Sequence, residues 1–167
     1  MIACVDVDYR KSCVVAACVC FREFPDTVAS GEHALRSTTP PHPYVSGSMY
    51  LRELPYLLEV LAPVRAGLRV AVVDAYVWLR DGSPGIGARL HETLGGEVAV
   101  VGIAKTGFYG ASGVAEVRRG TSESPVFVSA AGMALADAAA AVASMAGPHR
   151  LPTFVKRADL LSRELYP

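Results

Sequence analysis

Two unbroken apolar runs, LRVAVVD at 68–74 and VAVVGIAK at 98–105, restrict the kind of sheet that this chain can form. Runs of β-branched residues without polar alternation are typical of strands buried on both faces, and such strands occur mainly in parallel sheets covered by helices. The segment between them, 85–96, has the pattern of a helix that ends at a glycine pair. The order strand, helix, strand therefore indicates an α/β fold.

The rest of the chain adds further strands and helices. IACVDVDY and SCVVAACVCF predict a hairpin with a tight turn, and a third, weaker strand is expected near 27–29. Apolar residues at helical spacing predict a helix over 48–63, with Ser48 as its N-cap and a kink or a break at Pro55. Two more strands and two more helices follow, at 113–120, 125–132, 133–147 and 156–165. We therefore predict one α/β domain over residues 1–167, with a mixed sheet flanked by helices on both faces and the run at 68–74 parallel to the first strand and beside it.

The charge balance and the cysteines narrow the function classes. Lys and Arg number 16 and Asp and Glu number 16, so the net charge is zero and any nucleic-acid surface has to be local. The cysteines lie at 4, 13, 18 and 20, with no CxxC pair and no histidine-rich partner. This argues against a zinc site and for buried, reduced thiols in a cytoplasmic protein. Neither a secretion signal nor a membrane span is expected.

Carboxylates stand in or at the ends of predicted strands. Alternation puts Asp6 and Asp8 on one face of the first strand, Asp74 ends the run at 68–74, and Glu53 lies in the helix after a proline-rich loop. Side chains at the carboxyl ends of neighbouring strands converge on one crevice of an open α/β sheet. Clustered carboxylates suit a hard divalent cation that activates water for phosphodiester hydrolysis. The alternatives are the solvated face of an edge strand for Asp6 and Asp8, and a loop cap for Asp74.

Six motifs occur in an order that resembles the endonuclease V family, the deoxyinosine-directed nucleases. They cover the chain from Ile2 to Asp159 and read VDVDYR, PYVSGSMYLRE, VAVVDA, VVGIAKT, SPVFVS and HRLPTFVKRAD. The resemblance implies a ribonuclease H-like fold, a role in DNA repair, and chemistry that depends on Mg²⁺, with Mn²⁺ as a possible substitute. It further implies cleavage at the second phosphodiester 3′ to inosine in DNA or RNA.

Carried over by position, the resemblance assigns roles to individual residues. Asp6 and Asp74 match the two metal-binding aspartates, which leaves Asp8 as a neighbour. Glu53 matches the catalytic glutamate. Lys105 matches an active-site lysine near the phosphate, and its alternative interpretation is a solvated strand end.

The segment PYVS matches the loop that wedges beside the damaged base. Pro43, Tyr44 and Val45 are thereby predicted to bind nucleic acid, with Tyr44 stacking on a base. The alternative for Tyr44 is a lid over the core. The second proline of the family's wedge is replaced here by Ser46.

Two further departures from the family pattern bear on function. The glycine-rich motif after the second aspartate is absent, and the pair Asp81–Gly82 offers a rival alignment to Asp74. The position of the family's catalytic histidine falls on Gly132. Two function classes follow: an active metal-dependent endonuclease, or a protein derived from the family that binds nucleic acid or regulates, with weak or no cleavage.

Overall fold

The computed structural model describes residues 1–43, 45, 48, 50–107, 110 and 113–164. Over these residues the helices and strands follow the order expected from the sequence. The strands are β1 (Ile2–Tyr9), β2 (Val14–Phe21), β3 (Gly31–Ser37), β4 (Val70–Val73), β5 (Ala99–Ala104), β6 (Ala115–Val117) and β7 (Val126–Ala131). The helices are α1 (Tyr50–Leu61), α2 (Ile86–Thr93), α3 (Leu135–Ser144) and α4 (Thr153–Glu164), with a 3-10 helix (Ala62–Gly67) after α1.

The strands form one mixed sheet in the order β3-β2-β1-β4-β5-β7-β6. β1 and β2 form the expected antiparallel hairpin, with Val5 opposite Cys18. β4 lies beside β1 and runs parallel to it, and β5 runs parallel to β4. The prediction that the run at 68–74 adjoins the first strand is confirmed. The two antiparallel strands β7 and β6 complete the sheet beyond β5.

Helices cover both faces of the sheet, as predicted, and each face has its own apolar core. One core contains residues of α1 and α2, such as Leu57 and Leu90, packed on alternate strand residues such as Ala3 and Val73. The other contains residues of α3 and α4 packed on the intervening strand residues, Val72 among them. β4 and β5 lie between these layers and are apolar on both faces, which explains their unbroken hydrophobic runs.

The third strand lies four residues later than predicted. The expected position at 27–29 falls in a turn that the Asp26 carboxylate holds by accepting hydrogen bonds from the backbone N–H groups of Arg22 and Glu23, at 3.0 and 3.1 Å. Pairing with β2 begins after this turn, and Gly31 is the register partner of Cys20. The prediction was wrong because the turn at 27–29 contains small residues, among them residue types typical of strands, whereas β3 itself is rich in polar residues.

Pro55 lies inside α1 without dividing it. The helix runs from Tyr50 to Leu61 with Pro55 in its second turn, so the expected break into two short helices is wrong. Proline removes one backbone donor in a helix interior, which leaves the carbonyl four residues earlier without its partner. That carbonyl belongs to Leu51, which is 38% exposed, so water reaches this part of the helix. Among the described residues, none of the helices has the length and apolarity needed to cross a membrane.

The loop after β4 is held against the middle of the sheet. A Cβ atom at Gly102 in β5 would lie 2.3 Å from the carbonyl oxygen of Ala75, so only glycine allows this approach. The backbone N–H of Val77 donates to Ser129 Oγ at 2.9 Å, and the Trp78 indole donates to the carbonyl oxygen of Ala130 at 2.8 Å. These contacts fix the backbone that follows Asp74.

Replacing Ser129 with alanine should destabilise the protein through this loop. Ser129 is fully buried, so the variant would leave the N–H of Val77 without an acceptor and out of reach of water. The expected loss is about 1–3 kcal/mol of the free energy of unfolding, measured by urea denaturation. Ser124→Ala, at an exposed serine, is the control and should change little. Equal stability of the two variants would contradict the assigned contact.

Candidate active site

The parallel pairing of β1 and β4 sets two aspartates side by side. Val5 is the register partner of Val73, and Asp6 and Asp74 each follow one residue later. Since neighbouring strands lie about 4.8 Å apart, the two aspartates occupy adjacent positions at the carboxyl edge of the sheet. β1 lies between β2 and β4, so the alternative of a solvated edge strand for Asp6 is wrong.

Asp6 is half-buried and faces α4. Ser162 Oγ is fully buried and lies 2.8 Å from Asp6 Oδ2 and 2.8 Å from the carbonyl oxygen of Asp159. A hydroxyl has one proton, so Ser162 donates to one of these oxygens at a time. Burial raises the pKa of Asp6, and the charges of Asp159 and Asp74 add to the rise, whereas the hydrogen bond from Ser162 lowers it. Asp6 is therefore a carboxyl group placed where a negative charge is disfavoured.

Glu53 reaches the same place from the first turn of α1. Burial, the largest cause, and the charges of Asp6 and Asp74 together raise its pKa to about 7, against the opposing charge of Arg52. The three carboxyl groups thus repel one another when no cation lies among them. The ionisation of Glu53 is therefore shifted towards neutral pH in the metal-free protein.

Lys105 follows β5 and supplies a positive charge at this edge. Its Nζ lies 2.5 Å from Asp74 Oδ2. Both side chains are partly exposed, so water and salt weaken this ion pair. The alternative of a solvated strand end describes Lys105 only in part, because its ammonium group also neutralises an acid of the cluster.

A small cavity joins the acids, and a larger groove opens from it. Asp6, Glu53 and Asp74 all line a cavity of about 60 Å³. Glu53 and Asp74 also line a groove of about 320 Å³, whose other walls include Tyr50 and Tyr76. The structure therefore brings three of the four predicted catalytic residues to one cavity and places the fourth, Lys105, in contact with one of them.

The three acids share a cavity without converging on one point. Within the described part of the chain, one set of three potential metal ligands has its ligand atoms within 4.8 Å of one another, and that set does not include these acids. Asp6 Oδ2 is turned to Ser162 and Asp74 Oδ2 to Lys105. Rotation about the side-chain bonds would be needed for a shared cation.

Asp159 was missed as a site residue, although it ends one of the six motifs. It lies on α4, where its charge raises the pKa of Asp6, and its Oδ1 lies 2.5 Å from Arg163 Nη2. The sequence contained one indication that this helix contacts the acids. Ser162, three positions after Asp159, is a polar residue on the apolar face of the predicted final helix. A buried hydroxyl indicates a polar partner in the sheet, which here is Asp6.

Gly132 lies away from the acids. It follows β7, which runs antiparallel to β5, and a Cβ there would lie 2.6 Å from His91 Cε1 and 3.1 Å from the Cα of Ala99. Ala99 starts β5, about four residues or 13 Å along the strand direction from the level of Asp74. The presence of glycine instead of histidine at position 132 therefore does not affect the arrangement of the carboxyl groups. A side chain at this position would lie beside His91.

The rival alignment through Asp81–Gly82 is not supported by position. Asp81 is exposed and has φ 57° in a turn, which the backbone N–H of Leu79 closes by donating to the carbonyl oxygen of Ser83 at 2.8 Å. Asp74 lines the cavity and lies beside Asp6.

The predicted wedge loop is partly described. Pro43 and Val45 are exposed, and the carbonyl oxygen of Val45 accepts a hydrogen bond from the backbone N–H of Ser48 at 2.9 Å. Tyr56 of α1 donates to the carbonyl oxygen of Thr39 at 3.0 Å and ties the start of the loop to the helix. Tyr44 lies outside the described residues, so its stacking role stays a prediction.

Solved structures of endonuclease V from three organisms share this fold. Endonuclease V from Ciona intestinalis, in complex with a 24mer DNA containing an inosine followed by a ribo-adenosine, is 19% identical with a TM-score of 0.78, and the match covers 98% of this chain and 84% of that one. Human ENDOV is 23% identical with a TM-score of 0.77, over 98% and 82% of the two chains. Endonuclease V from Streptomyces avermitilis is 24% identical with a TM-score of 0.75, over 97% and 79%. The chain has the ribonuclease H-like fold of these structures, as predicted.

The family follows from the sequence match. The family model for endonuclease V matches residues 1–160, and the chain belongs to the endonuclease V family. The search of curated proteins finds no match.

Stability of the metal-free protein should depend on pH through Glu53. In the folded state its pKa is about 7, against an ordinary value of 4.5, so between these values the folded state binds more protons than the unfolded chain. Stability therefore falls as pH rises through this window. We expect the free energy of unfolding of Glu53→Gln to equal that of the wild type at about pH 4. At about pH 8 the variant should be more stable by about 1–3 kcal/mol.

The measurement is urea denaturation at both pH values in the presence of a chelator. Glu59→Gln, at an exposed acid of the same helix, serves as the control and should behave as the wild type at both. A Glu53→Gln variant with no gain at the higher pH would mean that the carboxyl group ionises without cost.

Proposed function

We propose that this protein is a divalent-metal-dependent endonuclease that hydrolyses phosphodiester bonds near inosine in DNA or RNA. Membership of the endonuclease V family supports the reaction class. The Ciona intestinalis relative is seen with inosine-containing DNA, which supports the substrate class. The observation that carries the proposal is the placement of Asp6 and Asp74 at adjacent positions of parallel strands, with Glu53 on the same cavity.

The donor set fits the metal that the family resemblance implies. Asp6, Glu53 and Asp74 offer only carboxylate oxygens, the ligands preferred by Mg²⁺ and Mn²⁺, and their mutual repulsion favours a cation among them. Asp6 and Asp74 would hold the ion. When bound, the ion would neutralise charge on the phosphate and lower the pKa of a water molecule.

The chain's own residues supply positioning and proton transfer. Glu53 lies on the cavity and would accept a proton from the attacking water. Lys105 would turn its ammonium from Asp74 to a phosphate oxygen of the substrate and stabilise the developing charge. Ser162 donates to Asp6 and orients that carboxylate. Asp159 adds a fourth acid at the α4 side of the cluster.

The groove beside the acids suits a base taken out of the helix stack. Its volume of about 320 Å³ lies at the lower end of the range for small-molecule sites, about 300–1,000 Å³. Tyr50 and Tyr76 line it together with backbone near Gly85, where a Cβ would lie 2.6 Å from the carbonyl oxygen of Tyr76. An inosine nucleotide whose base occupied the groove would place its phosphate towards Asp74, which lines both spaces.

A second candidate function is nucleic-acid binding without efficient cleavage. The net charge of zero gives no general attraction for nucleic acid, and Lys105 is engaged with Asp74. Both functions use the same groove and wedge loop. They differ in whether the bound strand is cut, so a cleavage assay separates them.

Removing either aspartate should abolish cleavage. The substrates are inosine-containing and control single strands of DNA and RNA, incubated with Mg²⁺ or Mn²⁺. Asp6→Asn and Asp74→Asn keep the side-chain volume and lose the charge, so we expect cleavage to fall by at least about 10²-fold. Asp8→Asn is the matched control, because Asp8 is on the same strand but paired with Arg10 at 2.9 Å.

Two results would contradict the nuclease proposal. Wild-type protein that binds the inosine-containing strand without cutting it would favour the second function. Activity unchanged in Asp6→Asn or Asp74→Asn would refute their role as metal ligands. Thermal melting of each variant in chelator checks that the fold is intact.

The wedge loop gives a separate test. If Tyr44 stacks on a base, Tyr44→Ala should lose about 1–3 kcal/mol of binding free energy for an inosine-containing single strand, and Tyr44→Phe should lose little because the ring face remains. If Tyr44 is a lid over the core, the alanine variant should instead lose about 3–5 kcal/mol of stability with unchanged affinity. Fluorescence titration and urea denaturation of the same samples measure the two quantities.

A further inference from the structure

A second set of metal-binding side chains lies on β2 and β3, away from the acids. Cys18 and Cys20 are on one face of β2, and His33 of β3 is the register partner of Cys18. The ligand atoms of these three residues all lie within 4.8 Å of one another. None of the three lines the acid cavity or the groove beside it. This cluster is independent of the proposed function.

The spacing of the two sulfur atoms fits one metal ion. Cys18 Sγ and Cys20 Sγ lie 3.6 Å apart. Two thiolates bound to a tetrahedral Zn²⁺ at about 2.3 Å have their sulfur atoms about 3.8 Å apart. The observed separation therefore needs almost no adjustment, and His33 completes a third ligand position after a small rotation.

The imidazole of His33 lacks a partner for one nitrogen. Its Nε2 is buried and has no hydrogen-bond partner. A buried nitrogen without a partner is destabilising, and such groups are rare in native proteins. A metal bound at Nε2 would satisfy this atom, and the imidazole that carries it has a ring nitrogen within 4.8 Å of both sulfur atoms.

The cluster has a route to solvent. Cys20 lies opposite Gly31, which is exposed, and no atom lies within 4 Å of the place where a Cβ of that glycine would stand. Among the described strands, β3 is at the edge of the sheet and pairs with β2 alone. The open space beside Gly31 admits an ion and leaves room for water as a fourth ligand.

We propose that Cys18, Cys20 and His33 form a binding site for a thiophilic cation, Zn²⁺ being the ion tested. Two sulfurs and one imidazole select Zn²⁺ over Mg²⁺, whereas the carboxylates at the other site have the opposite preference. Binding releases the two thiol protons and links β2 to the edge strand β3. A zinc site was not expected from the sequence, which has no CxxC pair and no histidine-rich partner for the cysteines. Strand pairing supplies it.

The test uses Co²⁺ as a spectroscopic substitute for Zn²⁺ in the full-length, reduced protein. Thiolate ligands give an intense sulfur-to-cobalt charge-transfer band in the near ultraviolet, which carboxylates do not give. We expect one equivalent of Co²⁺ to produce this band, and one equivalent of Zn²⁺ to remove it by displacement. Zn²⁺ should also raise the melting temperature, since a ligand that binds only the folded state stabilises it.

Variants assign the band to the cluster. Cys18→Ser and Cys20→Ser should abolish it, and His33→Gln should weaken Zn²⁺ affinity by at least about tenfold. Cys13→Ser, at a buried cysteine outside the cluster, and Asp6→Asn, at the acid site, should leave the band unchanged. His33 is only half-buried on an edge strand, so its variant tests the proposal even where a cysteine variant fails to fold.

Several outcomes would overturn the proposal. One is the absence of the charge-transfer band in reduced wild-type protein. Another is a band that persists in the His33→Gln and Cys18→Ser variants with unchanged affinity. A disulfide between Cys18 and Cys20 that survives in reducing buffer, shown by mass spectrometry after alkylation, would likewise replace the metal site with a redox pair.

Discussion

The parallel pairing of β1 with β4 is the contact on which the site depends. It places Asp6 and Asp74 one residue beyond the partners Val5 and Val73, so two acids stand next to each other because of backbone hydrogen bonds alone. Side-chain preferences oppose this arrangement, since burial raises the pKa of Asp6 and neighbouring charges raise it further. The apolar layers on both faces of the sheet supply the stability that lets the fold keep this unfavourable cluster.

The three acids of the cluster have different surroundings. Lys105, after β5, pairs with Asp74, and Ser162 of α4 donates to Asp6. At Glu53 of α1, burial and the charges of Asp6 and Asp74 outweigh the charge of Arg52, so its pKa is raised to about 7. Each acid therefore has its own way of avoiding an uncompensated charge, and a substrate or a cation entering the cavity has to displace these local arrangements.

Local pattern predicted the parts of the fold that depend on a single segment. The runs at 68–74 and 98–105 indicated buried parallel strands, and the acid ending the first run indicated the edge at which it would act. Pattern failed where pairing across the chain decides the structure. β3 was predicted too early in the chain because the residues of β3 alone do not determine its register with β2. For the same reason the sequence did not predict that His33 lies opposite Cys18. Asp159 went unassigned because its relation to Asp6 exists only once α4 packs on β1.

The seating of the loop after β4 has a consequence for motion. The backbone N–H of Val77 donates a hydrogen bond to Ser129, which is fully buried. The carbonyl oxygen of Ala75 lies so close to the Cα of Gly102 that a methyl group would not fit between them. A segment held against the middle of the sheet in this way does not unfold locally while the rest of the domain stays folded. The amide hydrogen of Val77 should therefore exchange with solvent slowly, although the Asp74 side chain three residues earlier meets water.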